Sequence, residues 1–486
     1  MRRFLLKKVL AFDFGFSSGR AIIFTFDGEK LVSEEINRFP NIPETIGKTR
    51  CWNVDYLFEK IDQSVAVALD KGVCAIGIDT WGVDAAIVRS GKIIVPPINY
   101  RDECIAGAAA ETEKYMPFET LYSISGIQRQ DFNTVNRFRV FDKIFSGWRD
   151  KGGKMLLMPD LFAMHLTGSE RTELTNCSTT SLLSARTRDF DDRILKAASI
   201  DRDVLPPMIM PGELYGYLKP CYTDRKIPVV AVCTHDTASA VAAVPVVEKN
   251  FAYISSGTWS LLGTETALPQ TGKTAMKYNF SNEIGYGGKI RLLKNIMGLF
   301  LLQEARRELN EKGESLGFTD ISARAASAKT DKVINPDHPM FLASGPMLCR
   351  VDEYLAKTGQ KPAESDDERF AIIYLSLALD YKRNLERLEQ LTGNKYTALH
   401  IVGGGTQDAL LNRMTANAVG IPVITGPIEA TAIGNAIVQL ISIGAIEGID
   451  KAREIVAKNS KLTKYLPENQ DEMQEKYQKY ISITEK

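Results

Sequence analysis

The stretch Val9–Phe26, VLAFDFGFSSGRAIIFTF, contains two apolar runs joined by small residues. The runs Val9–Asp13 and Arg20–Phe26 have the composition of buried strands, and Gly15–Gly19 has that of a turn. A second turn signal, Asp27-Gly28, and a third strand pattern follow. The segment therefore predicts antiparallel strands at the start of a domain.

Helical patterns alternate with further strands downstream. Asp55–Lys71 carries apolar residues at helical spacing, and Val73–Ile78 is a strand pattern that ends at Asp79. Strand hairpins combined with crossover helices indicate an α/β domain.

The second half of the chain repeats this order of elements. Two strand patterns, Ala252–Ile254 and Trp259–Gly263, are joined by the small-residue turn Ser255–Thr258. Helix patterns follow at Phe370–Leu391, Asp408–Val419 and Glu429–Ile443, and strand patterns at Ala398–Val402 and Ile421–Ile424. We predict a duplicated α/β chain whose two lobes, 1–245 and 246–486, flank a central cleft suited to a small ligand. The boundary is predicted near Pro245–Asn250.

Composition excludes several classes of function. The 486 residues include 60 basic and 60 acidic ones, so no net charge favours nucleic acid or an anionic membrane. The 7 cysteines contain no Cys-x-x-Cys pair, which favours reduced thiols in the cytoplasm. No apolar run approaches the ~20 residues of a membrane span, and charges interrupt the basic start Met1–Lys8 too early for a secretory signal.

The turn Asp13–Arg20, DFGFSSGR, admits two interpretations. Its small residues leave backbone N–H groups open to phosphate oxygens, and Asp13 could orient a hydrated Mg²⁺; alternatively it is a plain hairpin bend. It matches neither a P-loop nor the dinucleotide fingerprint Gly-x-Gly-x-x-Gly.

Two other glycine-containing turns have the same two interpretations. Ser255–Trp259, SSGTW, could bind phosphate or be an ordinary hairpin. His400–Gln407, HIVGGGTQ, places three glycines after a strand, which indicates a close backbone approach, either to a nucleotide or within a tight turn.

The segment Ile76–Ile87, IGIDTWGVDAAI, combines an aromatic residue, a glycine and two carboxylates. Trp81 could stack on a sugar beside Gly82. The alternative is that Trp81 belongs to the core while Asp79 and Asp84 cap a turn.

A further carboxylate, Asp236, stands in Thr234-His-Asp-Thr237, between a strand pattern and an Ala/Val-rich helix pattern. It could be the helix N-cap or a general base, and the two roles are compatible because the helix dipole keeps the carboxylate ionised. The remaining histidines, His165, His338 and His400, lack metal-ligand spacing and are predicted to be structural.

Taken together, these stretches resemble the FGGY carbohydrate kinases of the actin-like ATPase superfamily, in particular members that phosphorylate a ketose. The resemblance spans nearly the whole chain and rests on these motifs: DFGFSSGR, IGIDTWGVD, YRD at 100–102, LLMPDLF at 156–162, LTNCSTTSLL at 174–183, THDTASAV, SSGTWSL, the Asn279–Glu283 segment, LLKNIMGLFLLQ and LHIVGGG. It implies two RNase H-like lobes, with MgATP and a sugar meeting in the cleft.

The resemblance also implies roles for individual residues. Asp236 would accept the proton, and Asp13 would support Mg²⁺ through water. The sugar would be held by Gly82, His235, Asp236, Thr237 and Asn295. ATP would be contacted by Phe16, Ser17, Ser18, Gly19, Arg20, Thr258, Gln303 and Gly404.

This sequence departs from the family pattern at three places. Phe16 replaces a small residue in the first turn, Phe300 stands where Trp is common, and Thr406-Gln-Asp follows the triple glycine. The resemblance implies a small-molecule sugar as partner, with no nucleic acid, membrane or obligate protein partner. The alternatives are another FGGY kinase with a different sugar and an actin-like or chaperone-like ATPase.

Overall fold

The computed structural model describes residues 6–246, 250–342 and 344–485. Residues 1–5 of the basic start and residues 247–249 of the predicted boundary lie outside the described residues. The chain forms two compact units. The first unit comprises the described parts of Met1–Val247 with Glu265–Leu292 and Ala430–Asn459, and the second comprises those of Glu248–Thr264, Leu293–Glu429 and Ser460–Lys486.

The elements are numbered in chain order. The strands are β1 Lys7–Phe14, β2 Ser18–Phe26, β3 Leu31–Pro40, β4 Pro43–Ile46, β5 Thr49–Trp52, β6 Ala75–Thr80, β7 Ala85–Arg89, β8 Lys92–Val95, β9 Lys154–Leu157, β10 Thr172–Glu173, β11 Met208–Ile209, β12 Leu214–Tyr217, β13 Pro228–Val230, β14 Ala252–Ser256, β15 Trp259–Thr266, β16 Ser281–Ile284, β17 Ile290–Met297, β18 Leu399–Val402, β19 Val423–Thr425 and β20 Thr463–Tyr465. The helices are α1 Val54–Asp70, α2 Ala108–Glu113, α3 Phe118–Ser125, α4 Arg137–Ile144, α5 Met158–Thr167, α6 Leu174–Cys177, α7 Asp192–Ala198, α8 Asp236–Ala242, α9 Lys273–Lys277, α10 Phe300–Glu311, α11 Phe318–Ser327, α12 Met347–Lys357, α13 Asp366–Thr392, α14 Ala409–Val419, α15 Ala430–Ser442, α16 Ile449–Asn459 and α17 Gln470–Thr484.

A mixed sheet forms the centre of the first unit. Its strand order is β12-β13-β6-β1-β2-β3. The pairs β13–β6 and β6–β1 are parallel, whereas β1–β2, β2–β3 and β12–β13 are antiparallel. β1 and β6 are almost entirely buried, as expected for strands covered on both faces.

Side chains along β1 and β6 alternate between the two faces of the sheet, and helices cover both faces. Leu10, Phe12 and Ile76 belong to a core cluster that includes Leu57 and Ile61 of α1. Residues of the opposite parity face α15, because side chains in a strand alternate between faces.

Glycines allow α15, which belongs to the first unit, to approach β6 and α8 closely. A Cβ at Gly77 of β6 would lie 2.5 Å from Asn435 Oδ1, and one at Gly434 would lie 1.8 Å from Ser239 O of α8. The close approach lets the amide of Asn435 reach the backbone, where Nδ2 donates to Phe12 O at 3.2 Å. A buried polar layer therefore lies between α15 and the carboxyl ends of the strands.

The second unit repeats this strand order. The seven-stranded sheet runs β16-β17-β15-β14-β18-β19-β20, with β16 as an additional edge strand. The pairs β14–β18 and β18–β19 are parallel, while β14–β15 and β19–β20 are antiparallel. The β14–β15 hairpin thus corresponds to β1–β2, and β18 and β19 correspond to β6 and β13, which confirms the predicted repetition of elements.

The boundaries of two predicted elements differ from the sequence interpretation. The first turn covers only residues 15–17, because Ser18 already pairs with Pro40 and Gly19 with Phe14. Asp79 lies inside β6 and pairs with Asp13, so it does not follow the strand. Backbone pairing that continues beyond the apolar runs is the physical reason for both shifts.

All 7 cysteines are free thiols in the described residues. Within residues 6–246, 250–342 and 344–485, no helix is both long and apolar enough to span a membrane.

Candidate active site

The candidate site in the first unit lies at the carboxyl ends of parallel strands, which is where ligands bind in open α/β sheets. Asp13 of β1 is directly opposite Asp79 of β6. Beyond β13, Thr80 N donates to Thr234 O at 2.9 Å, and Thr80 and His235 form a parallel bridge. Sheet pairing therefore brings the three motifs that contain Asp13, Asp79 and His235 to one edge.

Asp236 is the first residue of α8, and His235 occupies the N-cap position. The interpretation of Asp236 as the N-cap is therefore wrong by one residue, although its carboxylate still binds the helix terminus. Oδ1 accepts hydrogen bonds from Thr237 N at 2.5 Å and from Thr237 Oγ1 at 3.1 Å. The side chain is 33% exposed, and none of the described residues donates a hydrogen bond to Oδ2.

The two other carboxylates at this edge are buried. Asp13 Oδ2 lies 2.5 Å from Arg20 Nη2, directly across the β1–β2 pair. Asp79 Oδ2 accepts from Asn435 Nδ2 at 2.6 Å, while Oδ1 has no hydrogen-bond partner. Burial, together with the neighbouring charge of Asp13, raises the pKa of Asp79 well above its ordinary value. Asp79 does not cap a turn, contrary to the second sequence interpretation.

A divalent cation is compatible with Asp13 but is not enclosed by protein ligands. Among the described residues, no group of three His, Cys, Asp or Glu side chains is placed to hold a metal ion. Mg²⁺ commonly keeps several waters and binds through one or two carboxylates plus substrate phosphates. The donor set of Asp13 with the unpartnered Asp79 Oδ1 fits that mode of binding.

His235 contacts a buried ion pair behind it. Arg291 Nη2 lies 2.9 Å from Glu283 Oε2 and 3.0 Å from His235 Nδ1. On the other side of the ring, Nε2 is 3.4 Å from Asp236 Oδ1. Burial opposes ionisation of Glu283, but the Arg291 guanidinium holds the pKa of this carboxyl below its ordinary value.

The segment that precedes His235 is held by a second buried carboxylate, Glu173. Its Oε2 accepts from Thr234 N at 3.0 Å and from Thr234 Oγ1 at 2.6 Å, and Oε1 accepts from Thr175 N at 2.8 Å. Asn176 Nδ2 adds a bond to Thr234 O at 3.2 Å. No pattern in the sequence predicts a role for Glu173, and its position directly before the LTNCSTTSLL motif is the one signal that points to it.

Asp160 is a buried carboxylate that is hydrogen-bonded to the backbone of Glu173. Its carboxylate accepts from Glu173 N at 3.0 Å, from Thr172 Oγ1 at 2.7 Å and from the hydroxyl of Tyr215. Burial nevertheless raises the pKa of Asp160 to about 7.

Trp81 belongs to the core, which answers the question left open by the sequence. It is 6% exposed, its ring centroid lies 4.4 Å from that of Trp52, and its Nε1 donates to Asp84 Oδ2 at 2.8 Å. Asp84 is itself buried and paired with Arg137 at 2.6 Å. It therefore anchors two indoles and a guanidinium rather than capping a turn.

Gly82 and Val83 form a tight turn next to Trp81. A Cβ at Gly82 would lie 2.9 Å from Thr179 Oγ1, so this close approach requires glycine. Val83 has φ of +69°, a left-handed conformation that is an outlier for a β-branched residue. Hydroxyl groups hold both sides of its backbone: Thr179 Oγ1 accepts from Val83 N at 3.3 Å, and Thr134 Oγ1 donates to Val83 O at 2.7 Å.

Residues in and next to the first turn have packing roles. Phe16 lies 5.1 Å from Tyr100 and 5.6 Å from Trp52 between ring centroids, so this unusual residue joins an aromatic cluster. A Cβ at Gly19 would lie 2.4 Å from the ring of Phe39, so packing alone requires this glycine. Ser17 is exposed and Ser18 half-buried.

In the second unit, the corresponding turn lies against the start of α10. Gly257 O and Thr258 O accept hydrogen bonds from Leu299 N at 3.1 Å and Phe300 N at 3.2 Å. Gln303, one turn further along α10, is half-buried. The structure thus places exposed Thr258 on the same turn–helix assembly as Gln303.

The three glycines after β18 serve different purposes. A Cβ at Gly405 would lie 2.0 Å from Ser256 Oγ, and Gly403 has φ of +88° with its Cβ position 2.9 Å from Ser256 O. Gly404 is exposed, and nothing lies within 4 Å of its Cβ position. Packing therefore accounts for Gly403 and Gly405 but leaves Gly404 open to a ligand.

Asn295 lies near the end of β17 and is half-buried. The adjacent Lys294 is buried and paired with Asp337 at 3.3 Å. The candidate residues thus fall into two groups: Asp13, Phe16–Arg20, Gly82 and His235–Thr237 in the first unit, and Thr258, Asn295, Gln303 and Gly404 in the second.

Two family models match most of the chain. Residues 8–243 match the N-terminal domain, and residues 252–443 the C-terminal domain, of the FGGY family of carbohydrate kinases. The chain belongs to this family and is an ATP-dependent sugar kinase.

Similar curated proteins extend over the full length. The chain is 36% identical over 485 residues to a rhamnulokinase of Ligilactobacillus salivarius (strain UCC118), covering 98% of each. It is 36% identical over 471 residues to a rhamnulokinase of Bacteroides thetaiotaomicron, covering 94% of this chain and 96% of that protein.

Solved structures confirm the predicted α/β fold of two RNase H-like units. A gluconate kinase from Lactobacillus acidophilus superposes with a TM-score of 0.82 at 14% identity, covering 99% of this chain and 98% of that chain. A Plasmodium falciparum glycerol kinase with ADP gives a TM-score of 0.78 at 15% identity, covering 98% of each. At such identities the likeness establishes the fold alone.

Adjacent glycines provide a matched test of the turn after β18. Gly405→Ala places a Cβ against Ser256, and we expect a loss of about 1–3 kcal/mol in the free energy of unfolding. Gly404→Ala points into open space and should change it by less than about 0.5 kcal/mol. Urea denaturation of both variants checks this; equal losses would contradict the packing assignment.

Asp160 should make stability depend on pH. The folded-state pKa of Asp160, about 7, exceeds the ordinary value of 3.8. The stability that protonated Asp160 contributes is therefore fully present below pH 3.8 and is lost as pH rises through 7. Asp160→Asn removes this titration. The unfolding free energy of the native chain minus that of the variant should therefore fall by about 3 kcal/mol between pH 5 and 8. Urea denaturation at several pH values tests this, and a constant difference would refute it.

Proposed function

We propose that this kinase transfers the γ-phosphoryl group of ATP to the 1-hydroxyl of L-rhamnulose, giving L-rhamnulose 1-phosphate and ADP in L-rhamnose catabolism. The support for this substrate is the 36% identity, over 98% of each chain, to a protein named rhamnulokinase. The combination of HDTASAV at 235–241, DTWGVD at 79–84 and KNIMG at 294–298 is, within FGGY kinases, typical of that subfamily.

The chemistry assigned to Asp236 is that of a general base. Its Oδ1 is occupied by Thr237, whereas Oδ2 receives no hydrogen bond from the described residues and the side chain reaches solvent. This free oxygen is the observation that carries the proposal, because it can accept the hydroxyl proton as the oxygen attacks phosphorus. Asp13 and Asp79, in contrast, are buried.

The remaining sugar contacts are assigned to Gly82, His235, Thr237 and Asn295. Thr237 already donates its hydroxyl to Asp236, so it also positions the base. We assign residues 1–245 mainly to sugar binding and residues 246–486 mainly to ATP binding.

ATP is assigned to Phe16–Arg20, Thr258, Gln303 and Gly404. In this assignment the open Cβ direction of Gly404 leaves room for the nucleotide. Mg²⁺ held near Asp13 through water would neutralise charge on the transferring phosphoryl group. Arg20 would hold the Asp13 carboxylate in place, since the two side chains are paired. The reaction is assigned to the cytoplasm, with no obligate protein partner.

Replacing the proposed base tests the mechanism. Asp236→Asn keeps an acceptor for Thr237 N but cannot take a proton, so we expect kcat with L-rhamnulose to fall about 10²–10⁴-fold. ATP binding and thermal stability should stay close to those of the native chain. Asp224→Asn, an exposed position in the same unit, is the control and should retain full activity. Native kcat in Asp236→Asn would exclude the base assignment.

A sugar panel tests the substrate. The assay uses purified enzyme and couples ADP release to a readout. L-rhamnulose should give a kcat/KM at least about tenfold above those of L-fuculose, xylulose and glycerol. A tenfold ratio corresponds to ~1.4 kcal/mol of difference in transition-state binding. Preference for fuculose or xylulose would replace the substrate and keep the class of enzyme. ATP turnover that ignores every sugar but responds to peptide or self-assembly would instead indicate an actin-like or chaperone-like ATPase.

A further inference from the structure

A buried ion pair lies directly behind His235, and the proposed reaction does not use it. Glu283 of β16 and Arg291 of β17 are both almost completely buried, with 2.9 Å between Oε2 and Nη2. Arg291 Nε also donates to Ile284 O at 3.3 Å, which fixes the guanidinium relative to the strand. Removing two charges from water is costly, so the pair invites a functional explanation.

The contact between Arg291 and His235 fixes the proton on the imidazole. A guanidinium has only donors, so the 3.0 Å contact requires Nδ1 of His235 to accept from Nη2. A neutral ring with an accepting Nδ1 carries its hydrogen on Nε2.

Glu283 is the competing partner for Nδ1, and the geometry disfavours it. Its Oε2 lies 3.4 Å from Nδ1, beyond the usual N–H···O range of 2.7–3.2 Å, and it already accepts from Arg291. Glu283 therefore orients Arg291, and Arg291 orients His235.

We infer that Glu283 and Arg291 are positioning residues that hold His235 as the Nε2–H tautomer, with the N–H directed towards the substrate side of Asp236. Nε2 lies 3.4 Å from Asp236 Oδ1, so the donor stands beside the base. In this state His235 donates a hydrogen bond to a sugar oxygen, and neither ring nitrogen is free to take the hydroxyl proton. That leaves proton acceptance to Asp236.

The role in sugar binding rests on the proposed function, but the tautomer of His235 can be measured without substrate. The chain has 4 histidines, so ¹⁵N-histidine labelling of deuterated protein gives a spectrum that can be assigned by loss of the His235 signals in His235→Gln. In the native chain at neutral pH, long-range ¹H–¹⁵N correlation should show His235 protonated at Nε2 alone. An Nδ1–H tautomer or a doubly protonated ring would overturn the inference.

Variants test the consequence for binding. Arg291→Lys loses the fixed planar donor, so we expect the KM for L-rhamnulose to rise at least tenfold and the His235 tautomers to mix, with the KM for ATP within about twofold. Arg453→Lys is the matched control, because Arg453 forms a similarly buried pair with Glu265 at 3.0 Å in the same unit. It should leave the sugar KM and the His235 spectrum unchanged.

The outcomes separate the two proposals. An unchanged sugar KM in folded Arg291→Lys would overturn the positioning role even if rhamnulose is the substrate. If Arg291→Lys does not fold, Glu283→Gln takes its place with the same expected rise in sugar KM, and the spectrum of the native chain decides the tautomer. No turnover of rhamnulose by the native chain would remove the proposed substrate, whereas the Nε2–H spectrum would still support the placement of the ring proton.

Discussion

The backbone hydrogen bond from Thr80 N to Thr234 O is the constraint on which the candidate site depends. The last paired residues of β13 and β6 are Val230 and Gly77, and pairing resumes at His235 and Thr80. Between these points, the segment that follows β13 contains more residues than the matching part of β6. The segment after β13 therefore bulges outward and then returns to the sheet. Bulges next to active sites re-aim side chains, and this one delivers His235 and Asp236 beside the register pair of β1 and β6.

Buried carboxylates fix that returning segment residue by residue. Glu173 binds both the backbone and the hydroxyl of Thr234, and the Glu283–Arg291 pair holds His235. Each carboxylate loses solvation, and hydrogen bonds or an ion pair offset part of that loss. A buried hydrogen-bond network of this kind rigidifies a site, which suits phosphoryl transfer because its rate depends mainly on positioning.

Sequence patterns predicted the strand–turn–strand units and their repetition because apolar periodicity and turn residues are local signals. They identified Asp236 as a reactive candidate, and the structure leaves its Oδ2 available. They could not assign Glu173 or Arg291, since these residues act through contacts far along the chain. The glycines show the same limit: Gly404 and Gly405 are adjacent and identical in sequence, yet only the fold reveals that Ser256 lies against one of them.

The left-handed backbone of Val83 has a consequence for how this enzyme can evolve. A β-branched residue at φ of +69° stores about 1–3 kcal/mol of conformational energy, and it lies directly after Gly82. Because the Val83 side chain is also buried, glycine or asparagine at this position would relieve the backbone strain but remove the packing of that side chain, so neither gives an easy gain in stability. Adaptation to higher temperature would therefore leave few substitutions open here, because a residue that suits the left-handed backbone lacks the apolar side chain, and another β-branched residue keeps the strain.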